Sequence, residues 1–257
     1  MRTGGRIKDA LRAGALATML ALPCAAPVAR AGPVIDLPHY PQIDRVALER
    51  HAARTLARRE AQARAAGELG CVRYCAMFER VFGKVTAAAR EQGEPEGGAI
   101  AWRLVVTTTR GEAALSLPGG VVLVSEDMIT SLALDETELA FILSHEVAHV
   151  LMQHEAEALE FLQATITPRG LTRSVWDLYA ELDYNAAALL RLESLMQQGE
   201  LEADYGGLLL GAQAGYAPAA MTGALVKMAA VEIRRRAVVT THPVMAERLA
   251  QRQAAQR

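Results

Sequence analysis

The sequence predicts an α+β protein, mainly helical, with one small sheet of three strands. Apolar residues recur at helical spacing from Ile43 to about Gln92, and again from Asp127 almost to the C-terminus. Between them, only Trp102 to Ser125 is rich in β-branched residues and turn signals. No apolar run of about 20 residues, the length of a bilayer span, lies in the body of the chain. At 257 residues, 51% of them hydrophobic, and a net charge of -2, the chain can bury a core and is too apolar for disorder. With only 5% aromatic residues, that core must be built largely from Ala, Leu and Val. The near-neutral balance argues against nucleic acid as a partner, because phosphate binding needs a basic surface.

Residues 1–31 read as a signal peptide. Arg2, Arg6, Lys8 and Arg12 precede an apolar run from Ala13 to Ala29, and Ala29-Arg30-Ala31 supplies small residues for cleavage. Pro23 and Pro27 argue against a core helix there. A lipoprotein acylated at Cys24 is the weaker reading, since Pro23 stands where a small residue is expected. Removing the segment takes away five basic residues (Arg30 is the fifth) and one acid, Asp9, which moves the net charge from -2 to -6. Residues 32–257 then form one domain, with N-terminal helices over 32–97 and the core of the domain over 98–257. The expected location is the periplasm or the extracellular space. Cys71 and Cys75 remain as an even pair, open to two readings: a disulfide, or two small apolar residues one helical turn apart.

Two or three helices are expected from Ile43 to Gln92, with breaks near Gly67 to Gly70 and near Gly83. Gln92 to Gly98 is a loop by composition. Trp102 to Thr109, Ala114 to Leu117 and Val121 to Ser125 read as a three-stranded meander with turns at Arg110-Gly111 and Pro118-Gly119-Gly120. Asp135 can cap a helix running from Glu136 through His154, with Glu138 completing a capping box. After the uneven segment Leu171 to Gln198, Gly199 precedes a helix through Leu210, and Pro218 starts another that reaches Arg236. Thr165 to Gln198 reads either as a mobile cover over a cleft or as a helical hairpin completing the core.

The chemistry is concentrated in His145-Glu146-Val147-Ala148-His149. Residues four apart share a helix face, so both imidazoles can reach one metal ion, with the glutamate beside its water. The surrounding run, Phe141-Ile142-Leu143 and Val147 to Leu151, is apolar, and ionisable groups are costly there unless a metal or partners satisfy them. A catalytic zinc needs a third protein ligand. His154, five residues after His149, points off the shared face and reads as a surface or helix-end residue. Glu200 and Asp204 share a face of a later helix, so one can ligate while the other supports a ligating histidine. Glu202 is the alternative ligand.

These residues resemble the HtpX, CAAX prenyl protease and BepA group of zinc metallopeptidases. The resemblance rests on His145 to His149, on Glu200 with Asp204, and on Gly215-Tyr216-Ala217-Pro218. Upstream it includes Ala114 to Gly120, and downstream Thr241-His242-Pro243 with Glu247-Arg248-Leu249. It runs from about Cys71 to Leu249, with the motifs in the family's order. Ala113 stands where the family usually carries Asn.

The resemblance implies a zincin-like (gluzincin) domain with its small sheet beside the active-site helix. It implies one Zn2+ per chain on His145, His149 and Glu200, with Asp204 supporting His145 and Glu146 as catalytic base. Ala114, Leu115, Ser116 and Leu117 would form an edge on which an extended peptide can pair. His242 would lie at the active site, either occupying the zinc's fourth position as an inhibitor or stabilising the oxyanion. With export, the expected function is a zinc endopeptidase of the cell envelope that cleaves misfolded or unassembled proteins, with room for peripheral membrane association. The competing expectation is a zinc-bound, chaperone-like binding module with little proteolysis.

Overall fold

A computed structural model describes residues 42–92, 99–168 and 170–235. The expected signal peptide and His242 lie outside the described residues. Among the described residues the chain is mainly helical, with one three-stranded sheet.

Asp44 caps the first helix, α1 (Arg45–Ala65), by accepting from the backbone of Ala47. The break at Gly67 to Gly70 is as expected, and α2 (Cys75–Glu91) follows it. No break occurs at Gly83; the helix continues because Phe78, Val81, Val85, Ala88 and Ala89 keep one buried stripe on either side of it. Cys71 and Cys75 are disulfide-bonded, with Cα atoms 5.5 Å apart. The pair does not share a helix: Cys71 lies in the preceding turn and Cys75 opens α2.

The strands are β1 (Arg103–Thr107), β2 (Leu115–Leu117) and β3 (Val121–Ser125). They do not form the expected meander. The order is β1-β3-β2, with β1 parallel and β2 antiparallel to β3. Thr108 to Ala114 is too long for a tight turn and passes over the end of β3, where the Ser125 hydroxyl donates to the Thr109 carbonyl at 2.6 Å. Strand β3 therefore becomes the central, most buried strand, and β2 lies at an edge. The β2–β3 turn uses Gly119 and Gly120 at positive φ; a Cβ on Gly120 would collide with the Ile100 side chain.

A short helix, α3 (Asp127–Leu132), leads to α4 (Glu136–Met152), which carries the His-Glu motif. Asp135 and Glu138 form the expected capping box. Every residue from Glu138 to Ala148 is buried. The helix does not run through His154. Gln153 takes a left-handed conformation, φ 58° and ψ 36°, and α5 (His154–Ile166) starts immediately after it.

The segment from Thr165 to Gln198 forms a packed hairpin. Helix α6 (Val175–Tyr184) is followed by α7 (Ala186–Gln213), which runs unbroken through Gly199. Val175 and Leu178 of α6 pack with Ala188 and Leu192 of α7, Leu159 and Leu162 of α5, and Leu48 of α1. After Gly215, α8 (Pro218–Met221) and α9 (Gly223–Arg235) replace the single helix expected there. Among the described residues no helix is long and apolar enough to cross a membrane.

Candidate metal centre

Helix α7 can carry a metal ligand to α4 because its contact face is nearly free of side chains. Gly199, Ala203, Gly206, Gly207 and Gly211 are all buried along it. Cβ atoms on Gly206, Gly207 and Gly211 would meet Met152, the His145 backbone and Met221, respectively, within 2.5–2.9 Å. Backbones that approach this closely let a short carboxylate bridge the two helices.

The result is a compact cluster of His145, His149 and Glu200. The two imidazole Nε2 atoms are 3.0 Å apart. Glu200 places Oε2 3.5 Å from His145 Nε2 and Oε1 3.5 Å from His149 Nε2. Ligands at about 2.0–2.1 Å from a tetrahedral zinc stand about 3.3 Å from one another. The separations lie near that edge, each Glu200 oxygen facing a different imidazole, and two imidazoles with one carboxylate are a donor set suited to zinc. The residues fit the ion.

Each imidazole is held from behind. His145 Nδ1 lies 3.0 Å from Asp204 Oδ1, and Asp204 is itself buried. Burial alone would lower the His145 pKa, but Asp204 and Glu200 together raise it to about 10, so the surroundings favour positive charge at this point. On the other side, His149 Nδ1 lies 2.8 Å from His154 Nδ1. His154 is therefore neither a surface residue nor aimed away from the motif. On a continuous helix, five residues turn about 140° away from His149; the left-handed Gln153 removes that rotation. Glu202, the alternative ligand, lies 3.5 Å from His154 Nε2 and is not part of the ligand cluster. The contact of His154 with His149 was the feature that spacing missed, because the break at Gln153 has no glycine or proline to mark it.

A cavity of about 790 Å³ opens over the cluster. His145, Glu146, His149 and Glu200 line it, as do Ala113 to Gly119 of the β2 region. Its remaining wall is largely apolar and includes Leu189, Leu192, Leu195 and Met196 of α7 with Tyr179 and Leu182 of α6. Glu146 is itself largely buried and faces this space.

A model of peptidase family M48 matches residues 77–255, well over half of the chain. The chain belongs to peptidase family M48. Membership places it among the metallopeptidases, hydrolases of peptide bonds with a zincin-like fold. A mitochondrial metalloendopeptidase OMA1 of Schizosaccharomyces pombe is 32% identical over 153 residues, covering 58% of this chain and 45% of that protein. The beta-barrel assembly-enhancing protease of Escherichia coli K12 is 33% identical over 129 residues, covering 45% of this chain and 26% of the relative. The Saccharomyces cerevisiae OMA1 is 28% identical over 184 residues, covering 67% of this chain and 53% of its own. The chain thus spans about half or less of the length of these M48 relatives.

Proposed function

We propose that this M48 chain is a zinc-dependent endopeptidase of the cell envelope that cleaves misfolded or unassembled polypeptides. The observation that carries the proposal is the convergence of His145, His149 and Glu200 beneath a cavity that Glu146 also lines. When bound, zinc supplies Lewis acidity, bringing the pKa of a water toward neutrality and polarising a peptide carbonyl. His145, His149 and Glu200 hold it, and Asp204 fixes the orientation of His145. Glu146 accepts the proton that the attacking water loses and delivers it to the departing amine. A base placed there has no use in a purely structural or holding site, which favours the peptidase over the chaperone-like module.

The free edge of β2, from Leu115 to Leu117 with Ala114 before it, offers backbone groups to an extended peptide, so binding depends little on sequence. The apolar wall opposite suits the side chains that an unfolded polypeptide exposes. Export by residues 1–31 to the periplasm or beyond is supported by their composition and by the Cys71–Cys75 disulfide, which belongs to an oxidising compartment. His242 lies inside the span of the family match, and the proposal gives it an inhibitory role in the resting enzyme.

The test is cleavage of casein by the purified chain, with its metal content measured alongside. One zinc per chain, activity abolished by a chelator and restored by zinc, is the expected result. Cleavage that persists after complete zinc removal would overturn the proposal.

A further inference from the structure

We infer that His154 and Glu202 form a positioning relay that fixes the tautomer and direction of the metal ligand His149. The inference rests on the zinc site proposed above. His149 aims Nε2 at the ligand cluster, 3.0 Å from His145 Nε2 and 3.5 Å from Glu200 Oε1. A nitrogen that ligates a metal offers its lone pair, so the ring proton of His149 sits on Nδ1.

That Nδ1 lies 2.8 Å from His154 Nδ1. Two ring nitrogens at this distance share one proton. His149 donates it, His154 accepts it at Nδ1, and His154 carries its own proton at Nε2. His154 Nε2 in turn faces Glu202 Oε2 at 3.5 Å, while Glu202 Oε1 accepts a hydrogen bond from Gln198 Nε2 at 3.0 Å. The chain of polar groups therefore crosses from α4 through α5 to α7 and ends on a carboxylate. Its acceptor toward the ligand is an imidazole, whereas His145 meets the carboxylate of Asp204 directly.

Two features of the fold serve this contact. Gln153 holds a left-handed backbone, a conformation that a non-glycine residue rarely adopts, and that turn brings His154 back beneath His149. Gly199 of α7 backs onto the His154 ring at ordinary contact distance: a Cβ there would lie 3.5 Å from its Cγ. With only 10% of its side chain exposed, His154 is held in place by packing on both sides.

The test measures zinc affinity of the full chain by competition with a chromophoric chelator, without substrate, so proteolysis does not enter the result. His154→Leu keeps bulk but removes the acceptor and should weaken zinc binding about 10–100-fold. His154→Asn places an amide oxygen where Nδ1 stood and should restore most of the affinity. Glu202→Gln, on a more exposed side chain, should weaken binding in the same direction by less, and it carries the test if the leucine variant does not fold by circular dichroism. Leucine and wild-type proteins of equal affinity would overturn the relay, as would an asparagine variant as weak as the leucine one. A wild-type chain that binds no zinc would instead overturn the function on which the relay rests.

Discussion

Gly207 on α7 lies directly against the backbone of His145 on α4: a Cβ added there would stand 2.9 Å from both the His145 nitrogen and its Cα. This contact sets how far Glu200, two turns earlier on α7, can reach toward the two histidines. Gly207→Ala must push the helices apart, since no flexible side chain can give way. The expected loss is about 1–3 kcal/mol of stability, with weaker zinc binding. Gly199→Ala is the contrast, because its Cβ would meet the His154 ring only at ordinary contact distance. Thermal unfolding and zinc titration of the two variants separate the cases.

Asp204 places a carboxylate oxygen 3.0 Å from His145 Nδ1. Asp204→Ala should lower zinc affinity about 10–100-fold while leaving Glu200 in place. Equal affinity by chelator competition would show that packing alone orients His145.

The disulfide closes a short loop whose Val72 and Arg73 amides both donate to Glu126, at 2.9 and 3.1 Å. The double variant Cys71→Ser with Cys75→Ser should lose on the order of 2 kcal/mol by loop-closure entropy, with zinc content unchanged. Denaturant unfolding of oxidised and double-serine proteins measures it.

Helical spacing made two pairs legible in the sequence, because it fixes which residues share a face: His145 with His149, and Glu200 with Asp204; the choice of Glu200 as third ligand came from the family resemblance. The capping box at Asp135 and the breaks around Gly67 and Gly215 were legible for the same local reasons. What escaped was set by tertiary packing. Strand β3 entered between β1 and β2 because burial of Val122 to Val124 outweighed sequential pairing. Gly83 and Gly199 lie inside helices whose buried stripes continue past them, so their low propensity did not end the helix. The break at Gln153, and with it the place of His154, depends on a left-handed glutamine that no turn composition announces.

His242 carries a prediction with a definite sign. Latency requires that His242→Ala raise basal casein cleavage while zinc remains bound. A fall in turnover on the order of 10²-fold would instead assign it to the oxyanion, and activity equal to wild type would remove it from the site.

The most direct test of the whole account is Glu146→Gln compared with wild type at equal zinc content. The substitution keeps the shape of the side chain and all three ligands but cannot accept the water's proton. Cleavage of casein should fall at least about 10²-fold with one zinc still bound per chain. Cleavage at the wild-type rate would contradict the account.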